Sequence, residues 1–216
     1  MSRTHIVVLP GGGYHRHADH EGEPIVAWLQ SLGIDASVFL YPVLTHHPTP
    51  LDAVRGEIAR IREAGAEKVG VIGFSAGGHA AGMACFAPAG GSPEGVADLA
   101  ILCYPVVSMV APSHAGSRDN LLGPDSSDEL RRETSLELLV GPDAPPTFLW
   151  HTVDDAVVDV VPVYTLASAL ATAGVPHAVH VYPSGVHGLG LAEGSGLPEQ
   201  WTGEAAAWLR DLGWAR

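Results

Sequence analysis

Six short runs of aliphatic and β-branched residues recur along the chain, at 5–9 (His-Ile-Val-Val-Leu), 36–40, 69–73, 99–103, 147–150 and 178–182. Their length and the turn-forming residues around them predict strands. Three are nearly continuous in apolar residues, the pattern of parallel strands covered on both faces. Between them, helical spacing marks Glu23 to Ser31, Pro50 to Ala64, Gly77 to Phe86, Val161 to Ala173 and Pro198 to Leu212. Two of these segments stop at Gly65 and Gly174, where a left-handed terminal residue is favoured. Strands separated by crossover helices predict an α/β fold, with a mostly parallel central sheet flanked by helices on both faces.

Residues 106–146 break the rhythm, because Gly, Pro, Ser and Asp interrupt short helical stretches such as Ser126 to Arg132. This insert follows a strand and is expected over its carboxyl end, as a minimal cap within a single domain spanning 1–216. With 46% hydrophobic and 16% charged residues, the chain can bury a large core without disulfides. Its 17 prolines and 26 glycines are dispersed, which indicates many short turns rather than a linker.

The net charge of -13, with no cluster of Lys or Arg, argues against nucleic acid as a partner. Cys85 and Cys103 lie in apolar surroundings and read as buried thiols of a reducing compartment, with a disulfide between them left open. The run Ile6 to Leu9 is too short for a signal peptide or a bilayer span, so the expected location is cytoplasmic with no membrane partner. Nothing in the pattern speaks to oligomeric state.

The chemistry enters at Gly73-Phe74-Ser75-Ala76-Gly77, a G-x-S-x-G sequence placed after an apolar strand and before a helix of small residues. A serine on so sharp a turn takes a strained backbone, and small neighbours let the chains pass. A serine hydroxyl needs a base to remove its proton. Twelve histidines compete, and His187 fits best, in a glycine-flanked loop between the last strand and the last helix. In the chain order Ser, Asp, His, the carboxylate comes after the strand at 147–150, where Asp154, Asp155 and Asp159 stand.

The oxyanion of an acyl-transfer intermediate needs backbone N–H donors. Pro10-Gly11-Gly12-Gly13-Tyr14 follows the first strand, so Gly12 or Gly13 is expected to supply one donor and Ala76 the other. Tyr14 and His79 are the candidates for substrate contact, with His151 as another residue able to shape the site. His15, His17 and His20 have a spacing that invites a metal reading, but no carboxylate or cysteine ligands accompany them. No metal and no cofactor is expected.

The glycine run with His20-Glu21-Gly22, the motif at 73–79, Tyr104-Pro105-Val106-Val107-Ser108, the stretch 116–123, the stretch 145–152 and Gly185-Val186-His187-Gly188 together resemble a family. It is that of small bacterial α/β-hydrolase carboxylesterases related to acetyl xylan esterases and feruloyl-esterase-like enzymes. The resemblance covers most of the chain. It implies the α/β-hydrolase fold, a Ser-Asp-His triad, an oxyanion hole completed by the glycine run, and a small ester of short, acetyl-type acyl groups as substrate. Aligned without a gap, it selects Asp155 as the triad acid and puts Asp159 where the family usually has proline. A peptidase of related fold and a non-catalytic binding protein are the alternatives, and the first needs substrate-holding structure that so short a chain lacks.

Overall fold

The computed structural model describes residues 3–88 and 93–215, so residues 1–2, 89–92 and 216 of the expected domain lie outside the described residues. Six strands, β1 (Thr4–Leu9), β2 (Asp35–Val38), β3 (Lys68–Phe74), β4 (Ala100–Cys103), β5 (Thr147–Thr152) and β6 (His177–Tyr182), form one sheet in the order β2-β1-β3-β4-β5-β6. Every adjacent pair is parallel, as the near-continuous apolar runs require.

Alternation along each strand divides the core in two. Val7, Leu9, Val71 and Leu149 face one side, packed with helices α2 (Thr49–Glu63), α3 (Ala76–Phe86) and α6 (Val161–Thr172). Ile6, Val8, Ile72 and Trp150 face the other, against α1 (Glu23–Ser31) and α7 (Trp201–Asp211). β4 and β5 are fully buried, whereas the edge strands β2 and β6 carry Asp35, Ser37, His177 and His180 and are partly exposed.

The differences from expectation are local. The segment from Pro198 divides into a 3-10 turn, Leu197–Gln200, and α7. The insert contains α4 (Ala115–Leu122) besides α5 (Asp128–Glu133), the stretch foreseen near Ser126. Ser127 caps α5, its hydroxyl accepting from the Leu130 N–H at 3.1 Å. Cys85 and Cys103 are both free and buried, and burial pushes the Cys85 thiol up to about 12. Among the described residues, no helix is long and apolar enough to cross a membrane.

β1 pairs with β2 on one side and β3 on the other, so the chain reverses its direction of winding between β1 and β3. In open parallel sheets a crevice forms outside the carboxyl ends of the strands at such a point. The loops leaving β1, β3, β5 and β6 meet there.

Candidate active site

Ser75 occupies the turn from β3 to α3, with φ 52° and ψ -117°, a backbone conformation that non-glycine residues rarely adopt. The neighbouring glycines are fixed by close packing. A Cβ on Gly73 would lie 2.1 Å from the Gly77 carbonyl oxygen, and one on Gly77 would lie 2.1 Å from that of Leu9. The turn is anchored by the Ser75 N–H to the Cys103 carbonyl at 3.0 Å.

His187 faces Ser75 from the loop after β6. Its Nε2 lies 2.8 Å from Ser75 Oγ, and its Nδ1 lies 2.6 Å from Asp155 Oδ2. An ionised carboxylate only accepts, so Nδ1 carries the proton and Nε2 is left to accept from the serine hydroxyl. The other carboxylate oxygen of Asp155 takes the N–H groups of Val157 at 2.8 Å and Val158 at 3.0 Å. Burial alone would raise the Asp155 pKa, but the bond from His187 and the N–H groups of Val158 and Val157 outweigh it and hold the carboxyl below its ordinary value.

The neighbouring acids do other work. Asp154 Oδ1 accepts from the Gly185 N–H at 2.7 Å, which ties the histidine loop to the end of β5. Asp159 accepts from the Val161 N–H at 2.8 Å, at the start of α6. His151 is wholly buried, with its Nε2 4.0 Å from Asp155 Oδ2 and no hydrogen-bond partner among the described residues. Burial lowers its pKa and keeps it neutral.

Gly12 (φ 132°) and Gly13 (φ 67°) line a cleft of about 430 Å³ together with Ser75 and His187. Among the described residues, no acceptor takes the N–H of Gly12, Gly13 or Ala76, so these donors remain open. For Ala76 this follows from its place in the first turn of α3. A Cβ on Gly12 would collide with the Arg16 carbonyl at 2.1 Å, so the loop can close only with glycine there. Tyr41 holds the loop from below, its hydroxyl donating to the Pro10 carbonyl at 2.9 Å.

The expected substrate contacts of Tyr14 and His79 need correction. Neither side chain lines the cleft: Tyr14 is 1% exposed and His79 0%. The hydroxyl of Tyr14 lies 2.7 Å from His79 Nδ1, and His79 Nε2 lies 2.7 Å from the Thr134 carbonyl. A carbonyl can only accept, so Nε2 carries the proton and Nδ1 accepts from Tyr14. Burial brings the His79 pKa down to about 4. The pair therefore braces the glycine loop against α3 and the insert.

The three histidines of the suspected metal cluster diverge. His15 and His20 line the cleft, whereas His17 packs edge-on against Tyr41 at 4.9 Å. Among the described residues, no group of three or more His, Cys, Asp or Glu side chains is arranged to hold a metal ion.

Sequence reasoning did not single out His114, Asn120, Glu21 or Tyr104. His114 and Asn120, from the insert, line the cleft, and Asn120 Nδ2 donates to the Gly13 carbonyl at 2.8 Å. Glu21 also lines the cleft, almost wholly buried, and accepts from the Tyr104 hydroxyl. For Asn120, Glu21 and Tyr104 the advance signal was their place in the stretches that carried the family resemblance, whereas His114 stands outside those stretches.

A serine on a strained strand-to-helix turn, at the winding reversal of a parallel sheet and in line with a histidine and an aspartate from later loops, defines the α/β-hydrolase class. No family model matches the chain. It is 34% identical over 215 residues to endo-1,4-beta-xylanase B of Butyrivibrio fibrisolvens, across 89% of this chain and 33% of that protein. With the acetylxylan esterase of Xylanibacter ruminicola it shares 31% identity over 222 residues, across 96% of this chain and 45% of that one. The chain thus spans less than half the length of these two relatives. The acetyl ester-xyloside bifunctional hydrolase from Caldicellulosiruptor lactoaceticus superposes with a TM-score of 0.93 at 36% identity, covering 100% of this chain and 85% of that one. The chain belongs to the acetyl-xylan-esterase-related family of α/β-hydrolase esterases.

Proposed function

We propose that this protein is a serine carboxylesterase that cleaves small, short-acyl esters of the acetyl type through a covalent acyl-enzyme on Ser75. The observation that carries this reading is the continuous hydrogen-bonded series from Ser75 Oγ through both nitrogens of His187 to Asp155, beside open backbone donors in one cleft. His187 takes the serine proton as Oγ attacks the ester carbonyl. The N–H of Ala76 and that of Gly12 or Gly13 hold the negative oxygen of the tetrahedral intermediate, where loss of one donor costs about 3–4 kcal/mol. The intermediate collapses as His187 returns the proton to the departing alcohol. Water, deprotonated by the same imidazole, then releases the acid. Asp155 keeps the imidazole in the required tautomer throughout.

The lining supports a short acyl group. Ala18 and Val157 are its only aliphatic side chains among the described residues, the rest being glycine, histidine or polar residues. Two relatives named for acetyl esters support the same choice.

A series of p-nitrophenyl esters tests the proposal. Acetate is expected to give a higher kcat/KM than octanoate, and Ser75→Ala to lower kcat on acetate by about 10⁴-fold or more with the fold intact. A rate that rises with chain length contradicts the acyl preference, and near-wild-type turnover by Ser75→Ala contradicts the nucleophile.

A further inference from the structure

We infer that Glu21 is a positioning residue for this hydrolysis, a buried carboxylate that locks the glycine loop after β1 to the loop bearing His187. The inference rests on the esterase reading above. Glu21 ends the 3-10 turn Asp19–Glu21 and is 2% exposed. Among the described residues it has no Lys or Arg partner, and the nearest basic atom is His20 Nε2 at 3.8 Å. A carboxylate buried in this way costs several kcal/mol unless hydrogen bonds satisfy it.

Those bonds reach both halves of the site. Oε2 accepts from the Gly11 N–H at 2.7 Å, at the base of the glycine loop. Oε1 accepts from the Tyr104 hydroxyl at 2.6 Å, and the same hydroxyl oxygen accepts from the Gly190 N–H at 2.8 Å. The preceding residue adds a parallel link, as His20 Nε2 donates to the Gly188 carbonyl at 2.8 Å. Gly188 (φ 81°) and Gly190 (φ 56°) are the soft joints just beyond His187, so two consecutive residues hold both of them. The Tyr104 ring also packs edge-on against the His187 ring, with centroids 5.1 Å apart.

The chemistry of the link calls for a carboxylate. Its two oxygens accept from two donors and present no proton of their own. A glutamine would turn its NH₂ toward either the Gly11 N–H or the tyrosine hydroxyl, and one of those donors would lose its acceptor. An apolar residue of similar size fills the volume without the burial cost, so filling space does not account for the charge. What the charge joins are the N–H groups that meet the oxyanion and the imidazole that moves the proton. Their separation matters to catalysis, since a misplacement of about 1 Å can cost on the order of 10²-fold in rate.

Glu21→Gln, Tyr104→Phe and the double variant test the inference, each assayed for kcat and KM on p-nitrophenyl acetate alongside its thermal midpoint. Tyr104→Phe keeps the ring against His187 and removes only the hydroxyl. Glu21→Gln is expected to lower kcat about 10²-fold with KM within about threefold of wild type, and Tyr104→Phe to lower kcat about tenfold. The double variant should be no slower than Glu21→Gln, because the hydroxyl acts through the carboxylate. An unchanged kcat in Glu21→Gln, or losses that multiply in the double variant, overturns the inference. If Glu21→Gln does not fold, Tyr104→Phe decides alone, and a kcat within twofold of wild type overturns it. A wild-type chain that leaves the ester intact fails the esterase reading instead, before any variant is compared.

Discussion

Three aspartates stand within six positions of one another after β5, and hydrogen bonding separates their roles. Asp155 meets His187 Nδ1, Asp154 braces Gly185 and Asp159 starts α6. Asp155→Asn should lower kcat on a short-chain ester by about 10⁴-fold, since an amide NH₂ facing Nδ1 favours the wrong imidazole tautomer. Asp154→Asn keeps an acceptor oxygen for Gly185, so it and Asp159→Asn should each cost less than about tenfold. A large loss in Asp159→Asn with little in Asp155→Asn contradicts the assignment. At this scale, the meeting of Ser75 with His187 was legible because each motif carries its own local geometry. Tyr14 and His79 were misread because closeness to a motif does not reveal which way a side chain faces. Glu21 escaped notice because its meaning lies in a contact with Tyr104, 83 residues away.

Among the elements, the elbow is the least tolerant. Gly77→Ala would place a methyl 2.1 Å from the Leu9 carbonyl oxygen and 2.6 Å from that of Pro10, and neither backbone can yield without separating β1 from α3. A loss of at least about 3 kcal/mol is expected in urea unfolding, and a stability equal to wild type contradicts this packing. Strand and helix positions were legible wherever burial imposes a period, as in β1, β3, α2 and α6. α4 was not, because Ala-Gly-Ser-Arg-Asp-Asn-Leu-Leu buries only Ser117, Leu121 and Leu122 and shows no apolar stripe. Its start is fixed instead by the His114 ring, whose Nδ1 accepts from the Ser117 N–H at 3.1 Å, a cap that helix-start rules do not anticipate. The helix brings Asn120 to the glycine loop, so the unforeseen element is also the one that completes the cleft wall.

Over the whole molecule, burial lowers the pKa of His5, His17, His47, His79, His114 and His151. The unfolded chain therefore binds more protons than the folded one as pH falls below about 6.5. Stability present above that pH is lost on acidification through the folded values, down to about 4 for His79. His79 alone accounts for roughly 3 kcal/mol across this window. Relief of the net charge of -13 acts in the opposite direction, but it is common to wild type and His79→Gln. The stability difference between these two chains, from urea unfolding, should therefore shrink from pH 7 to pH 4.5, and a constant difference contradicts a buried neutral imidazole. Peptide mass spectrometry after inactivation by a fluorophosphonate decides whether Ser75 is the nucleophile of an ester hydrolase. A single phosphonyl adduct on the peptide containing Ser75, formed in step with loss of esterase activity, is the expected result; an adduct on another residue, or hydrolysis that persists once Ser75 is fully modified, contradicts this role for Ser75.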